Sequence, residues 1–187
     1  MIFGSQVYSI LKGLLLLGNH KKMITIFFLC YPILTYSQIR HTTGDQMAGA
    51  YYSFTNKTNA VGAAYQYFLL DNIALKGSLS YEDIAFKLSD YHSFILKPEL
   101  LYTLFSNKKS LFFNLKGGLL SGLESTKNEI INQNKNNFFY GALLGTTLEI
   151  YISSKVKIEL EFEQRFLLKS LVANYRPYLT IGTFIKL

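Results

Sequence analysis

The chain has 187 residues, 49% hydrophobic and 16% aromatic, which suits one compact domain with a large apolar surface. Its formal charge is +7, but the lysines are dispersed instead of grouped, so no groove-reading motif is outlined and no direct nucleic-acid binding is expected. Cys30 is the only cysteine, which excludes an internal disulfide.

In chain order the first element is an export leader. Lys21-Lys22 precede an apolar run from Met23 to Leu34, which is followed by Thr35-Tyr36-Ser37 and then Gln38. Basic, apolar and small-residue regions in that order predict a signal peptide over residues 1–37, with cleavage between Ser37 and Gln38 and a mature domain over 38–187. Met1 to His20 lie ahead of the basic pair and lengthen the leader. Phe28-Leu29 before Cys30 is not the small-residue context of a lipid anchor, so the cysteine reads as part of the discarded leader. The apolar run is shorter than the roughly 20 residues a membrane helix needs, and no later run reaches that length. Any membrane residence must use strands.

Period-two alternation and turn residues predict eight strands, at 46–54, 60–69, 73–84, 91–105, 110–125, 137–152, 156–168 and 175–187. Tight connections at 70–72, 106–109 and 153–155 alternate with longer ones at 55–59, 85–90, 126–136 and 169–174. Short turns alternating with long loops are the pattern of outer-membrane barrels, whose termini and short turns face the periplasm. Tyr51, Tyr52, Tyr67, Tyr81, Phe105, Phe138, Tyr140, Tyr151, Phe166 and Tyr175 fall near strand ends, where interfacial girdles are expected.

The strongest pattern lies in Val156-Lys157-Ile158-Glu159-Leu160-Glu161-Phe162-Glu163-Gln164-Arg165-Phe166, where bulky apolar side chains alternate with charges. A strand sends these to opposite faces, whereas a helix would mix them. The same split separates Ile73, Leu75, Leu79 and Tyr81 from Lys76, Ser78, Ser80 and Glu82, and Pro177, Leu179, Ile181, Ile185 and Leu187 from Arg176, Thr180, Gly182 and Lys186. Gly118, Gly122, Gly145 and Gly182 share the charged faces, as expected of a narrow, crowded interior. A secreted soluble barrel would reverse these faces; the leader, the unequal connections and the apolar last strand favour lipid outside and charge inside.

The expected fold is therefore all-β: an eight-stranded antiparallel up-and-down transmembrane β-barrel of outer-membrane type. Its lumen is expected to hold a structural polar network of Lys76, Lys97, Glu99, Lys116, Glu149, Lys157, Glu159, Glu161, Glu163, Arg165, Arg176 and Lys186, because buried charges have to be paired. Hairpin counting places Thr147 and Gly182 beside Glu161, leaving room for a cation from another wall. Crowded acids also occur in proton paths and catalytic pairs, but structural ion pairing accounts for the same pattern. Lys57, Lys87, Lys127, Lys135 and Lys169 fall in the expected outer loops, where solvated charge or contact with anionic lipid headgroups suits them.

No His, Cys or carboxylate spacing suggests a metal, and no Gly-rich phosphate loop suggests a nucleotide, so neither metal nor cofactor is expected. His92-Ser93 is the sharpest enzyme candidate, as base and nucleophile of an outer-membrane lipid hydrolase. Neighbouring strand residues point to opposite faces, so catalytic residues are not expected.

Three stretches of the C-terminal half carry a family resemblance: Asn137-Phe138-Phe139-Tyr140-Gly141, Thr147-Leu148-Glu149-Ile150-Tyr151-Ile152-Ser153 and Tyr175-Arg176-Pro177. With Pro98-Glu99, Gly117-Gly118, Gly122 and Glu124 at comparable spacing, the chain resembles the TraO family of conjugative-transposon transfer proteins of Bacteroidetes. The resemblance covers most of the mature chain. It implies an outer-membrane component of a conjugal transfer apparatus of type IV secretion kind, in contact with lipid and with other apparatus proteins, and without enzymatic activity. An adhesion or envelope-maintenance barrel is the alternative. The polar, Asn-rich stretch from Thr126 to Asn136 is the first expectation for an external contact.

Overall fold

The computed structural model describes residues 41–55, 58–86, 89–107, 110–128, 133–171 and 173–187; the leader and its Ser37/Gln38 cleavage position lie outside them. Eight strands run in chain order: β1 (Gln46–Phe54), β2 (Thr58–Leu70), β3 (Ile73–Phe86), β4 (Ser89–Ser106), β5 (Leu111–Asn128), β6 (Gln133–Tyr151), β7 (Val156–Leu168) and β8 (Tyr175–Lys186). Each pairs antiparallel with its successor, and β8 closes onto β1. Following cross-strand partners once round, from Leu123 through Phe94, Tyr81, Val61, Tyr52, Ile181, Leu160 and Leu148, arrives at Phe113, ten residues lower on β5. A stagger of that size with eight strands demands a tilt of roughly 40°, which leaves an interior just wide enough to be filled by side chains.

The alternating segments form strands where expected, but the connections do not alternate strictly in length. The pairing continues beyond the apolar alternation: Ser89–Asn128 and Asn128–Gln133 are still partners, as are Phe86 and Ser89. Much of the polar 126–136 stretch is thus ladder, and Lys127 and Lys135 lie on strands instead of in a loop. The cause is that a ribbon standing above the membrane satisfies its backbone hydrogen bonds by pairing whether or not its side chains alternate. Lys57 and Lys87 lie outside the described residues.

The outer face is apolar around the whole circumference. Leu79, Leu96, Leu100, Leu119, Leu144, Leu160, Phe162, Leu179 and Ile181 are all exposed. Leu160 and Phe162 are 41% and 49% exposed, whereas Glu159 and Glu161 between and beside them are 0% and 6%. Aromatic pairs ring the loop end: Tyr52 with Phe54, Tyr81 with Phe94, Phe138 with Tyr140, and Phe166 edge-on to Tyr175. Tyr65, Tyr102, Phe105 and Phe113 mark the turn end. An outward apolar band between two aromatic girdles is the surface that fits a bilayer. Two expected girdle residues belong elsewhere. Tyr51 and Tyr151 are buried inside the barrel, because each has the inward parity of its strand.

Inside, an apolar cluster of Met47, Phe68, Leu101, Phe112, Tyr151 and Phe184 fills the end that carries the termini. A second, of Ile95, Leu120, Phe139, Leu143 and Leu167, lines one wall nearer the loop end. Gly44, at φ +89, makes the left-handed turn that ties the segment before β1 to β2, with its N–H donating to Phe68 O at 2.8 Å. That turn carries the buried His41 into the mouth, where its ring stacks on Phe112 at 3.8 Å.

Candidate functional site

β7 is the spine of the interior. Its inward residues Lys157, Glu159, Glu161, Glu163 and Arg165 follow one another up the wall, and cations and acids from other strands reach across to them. At the lower end Lys157 Nζ lies 2.9 Å from Glu149 and 3.0 Å from Glu159, and donates to Gln66 Oε1 at 2.6 Å. Lys76, from β3, pairs with both Glu159 and Glu161. Lys116, from β5, sits on three carboxylates: Glu99 at 3.0 Å, Glu161 at 2.5 Å and Glu163 at 2.7 Å. Lys97 joins at 3.3 Å from Glu163.

Above this, Arg165 binds Glu163 through Nε and Glu82 through Nη1, and lies 3.6 Å over the Tyr178 ring. Tyr178 donates to Glu82 at 3.0 Å. Arg176 bridges Glu82 and Glu124, each at 3.7 Å, and donates to Ser170 Oγ at 2.6 Å. Glu124 accepts the Leu171 N–H at 2.8 Å, so the turn after β7 is fastened onto the network.

The sequence-derived set is thus gathered into one connected chain of charge, with one exception. Lys186 is at the terminal rim, its side chain 37% exposed, and pairs with Asp45 at 2.6 Å instead of joining the lumen. Parity gave its face, but its position at the end of β8 puts it beyond the closed interior. A rim pair of this kind contributes little, so Lys186→Ala should change unfolding free energy in a denaturant titration by less than about 1 kcal/mol.

The register also revises the neighbours of Glu161. Thr147 is opposite it on β6, but on β8 its partner is Thr180, and Gly182 faces Glu159. The room for Lys116 comes from its own side of the barrel: a Cβ on Gly145 would lie 3.1 Å from Lys116 Cε, and one on Gly118 would lie 3.2 Å from Glu99 Cγ.

Sequence reasoning left Glu82, Glu124, His41 and Tyr178 out of the network, and also Tyr91, whose hydroxyl accepts from Arg176 Nη2 at 3.4 Å. Glu82 shares parity with Lys76, and Glu124 with Lys116, so period two was the signal that would have included them. His41 precedes the first strand and carried no such signal. Among the described residues the buried set opposes seven glutamates to six lysines and arginines. The excess acid finds further donors in His41, whose Nε2 is 2.9 Å from Glu149, and Asn114, whose Nδ2 donates to Glu149 at 2.9 Å.

Such a filling pins walls together and blocks passage. Lys157, Glu159, Glu163, Arg165 and Glu149 are 0% exposed and Lys116 is 1%, so side chains fill the cross-section at this belt. The carboxylate oxygens of Glu99, Glu161 and Glu163 lie within 4.8 Å of one another, close enough to share a metal ion. The ammonium of Lys116 already occupies the centre of that set. On the other side of the wall, His92 faces outward, with Nδ1 2.8 Å from Tyr81 OH and 3.3 Å from Asp83, while Ser93 is buried and donates to Glu82 at 3.4 Å. The two do not form a dyad.

No family model and no curated protein matches this sequence. Solved structures do match. The N-terminal β-barrel domain of Pseudomonas aeruginosa OprF superimposes with a TM-score of 0.62 at 15% identity, over 78% of this chain and 98% of that one. Neisserial surface protein A gives 0.59 at 12% identity, over 76% and 96%. Ail, the attachment invasion locus protein of Yersinia pestis, gives 0.52 at 11% identity, over 76% and 97%. The fold is that of a small outer-membrane barrel. With lipid-compatible side chains outside and charged ones inside, the molecule is built as a Gram-negative outer-membrane barrel.

Proposed function

We propose that this barrel is an outer-membrane component of a conjugal transfer apparatus of the TraO kind, acting as a structural or partner-binding element without catalysis. The observation that carries the structural role is the sealed ionic belt around Lys116: a lumen filled in this way is unsuited to passing a DNA strand, so the protein serves through its surfaces. The three C-terminal stretches and the Pro98 to Glu124 spacing support the assignment to conjugation. Partners from the apparatus would meet the periplasmic rim or the ribbon of β4, β5 and β6 that extends above the girdle.

Deletion with complementation, scored for DNA transfer, tests the reading. Loss of mating with an intact envelope, restored by the wild-type gene, is the expected result. Normal mating combined with sensitivity to detergents would overturn it in favour of the second reading, an adhesion or envelope-maintenance barrel. That second reading draws on the extended outer ribbon and on the shared fold with Ail, an attachment protein by name.

A further inference from the structure

On the outer wall between β6, β7 and β8 there is a groove of about 410 Å³ at the level of the loop-end girdle. This lies within the roughly 300–1,000 Å³ usual for a small-molecule site. Ala142 leaves its floor low, Leu119 and Leu168 wall it, and Tyr140, Phe166 and Tyr175 flank it. Bulky side chains surround a small one on a face otherwise convex with leucine, so the surface is recessed where a chain of methylenes can lie.

The lip is polar and positive. β7 ends at Leu168, and Lys169 takes a left-handed backbone, φ 61, which a lysine rarely adopts. Asn137 holds that turn by donating its side-chain amide to the Lys169 carbonyl. The Lys169 side chain is exposed and its ammonium lies 5.8 Å over the ring of Tyr140, itself a wall of the groove. Among the described residues no carboxylate pairs with it. Asn174 adds a second polar group to the groove.

We infer that this recess is a seat for one outer-leaflet lipid with a net anionic phosphate headgroup, its acyl chain in the groove and its phosphate on Lys169. The depth decides between occupants: the groove opens on the face that lies in the bilayer, beside the aromatic ring that marks the headgroup boundary, and Lys169 at its lip complements an anionic head. Solvated loop charge alone would not require a held turn above an apolar recess.

The test is native mass spectrometry of the full chain released from micelles doped with phosphatidylglycerol or phosphatidylcholine. One phosphatidylglycerol should be retained in preference to phosphatidylcholine. Lys169→Gln should weaken that retention about fivefold, the value of one lysine at an anionic lipid surface. Ala142→Phe, which fills the recess, should abolish it, while Lys155→Gln at the opposite rim should leave it unchanged. Migration as a compact band in unheated gels checks that each variant is folded. Equal retention of both lipids, equal retention by Lys169→Gln and wild type, or complete displacement by inorganic phosphate would each overturn the assignment, the last by showing an anion site that needs no acyl chain.

Discussion

Lys116→Met should destabilise the barrel by about 3–5 kcal/mol, the cost of stranding buried charge by removing its partner. The substitution preserves length and apolar bulk, so packing is nearly retained and the loss is electrostatic. Three carboxylates, on Glu99, Glu161 and Glu163, share this one ammonium. Lys97 reaches two of them, at 3.9 Å from Glu99 and 3.3 Å from Glu163, and Lys76 reaches Glu161, so the remaining cations are already engaged. The measurement is a urea titration of folding in lipid vesicles. Adding Glu161→Gln to Lys116→Met should recover part of the stability, because one stranded charge is then removed. A loss under about 1 kcal/mol for the single variant would mean that water or relaxation screens the belt as it screens surface pairs.

Leu160→Arg should cost about 2–4 kcal/mol in the same titration, the range found for arginine on the lipid face of a barrel near the bilayer midplane. Leu160 is outward on β7, between Ile181 and Leu148 and far from either rim. Leu187→Arg, at the terminal rim and 72% exposed, should cost only about 0–1 kcal/mol, as expected near an interface. A depth dependence of this sign distinguishes a lipid-facing surface from a soluble one, where both substitutions would be nearly silent. The pair therefore tests membrane placement without reference to the partner proteins.

Much of this arrangement was legible because a strand has only two faces. From Val156 to Phe162 each charge lies between apolar neighbours, and that alone sorts the lumen from the lipid side. The same rule was available for Tyr51 and Tyr52, which are adjacent and so must part company: Tyr52 joins the girdle and Tyr51 turns inward. Tyr151 follows Glu149 at a spacing of two and is inside with it. Parity says nothing about height, however, which is why Lys186 was expected in the lumen but stands at the rim. Nor does it give register to better than a rung, so Gly182 was placed beside Glu161 when it faces Glu159. The ribbon through Lys127 and Lys135 has no apolar alternation at all; backbone pairing alone carries it outward. His41 depends on a turn at Gly44 and on a ring stack that only the closed barrel creates.

The bridges of the belt join β7 to β3, β4 and β5, strands that are not its neighbours in the sheet. Half-curled, the ribbon would therefore present bare ions to hydrocarbon, and only the finished ring cancels them. Rolling up and neutralisation are consequently one event, with no comfortable halfway stage in the membrane. Before that moment the same ions keep the travelling polypeptide wettable, so a single stripe of residues serves first as solubiliser and afterwards as rivet.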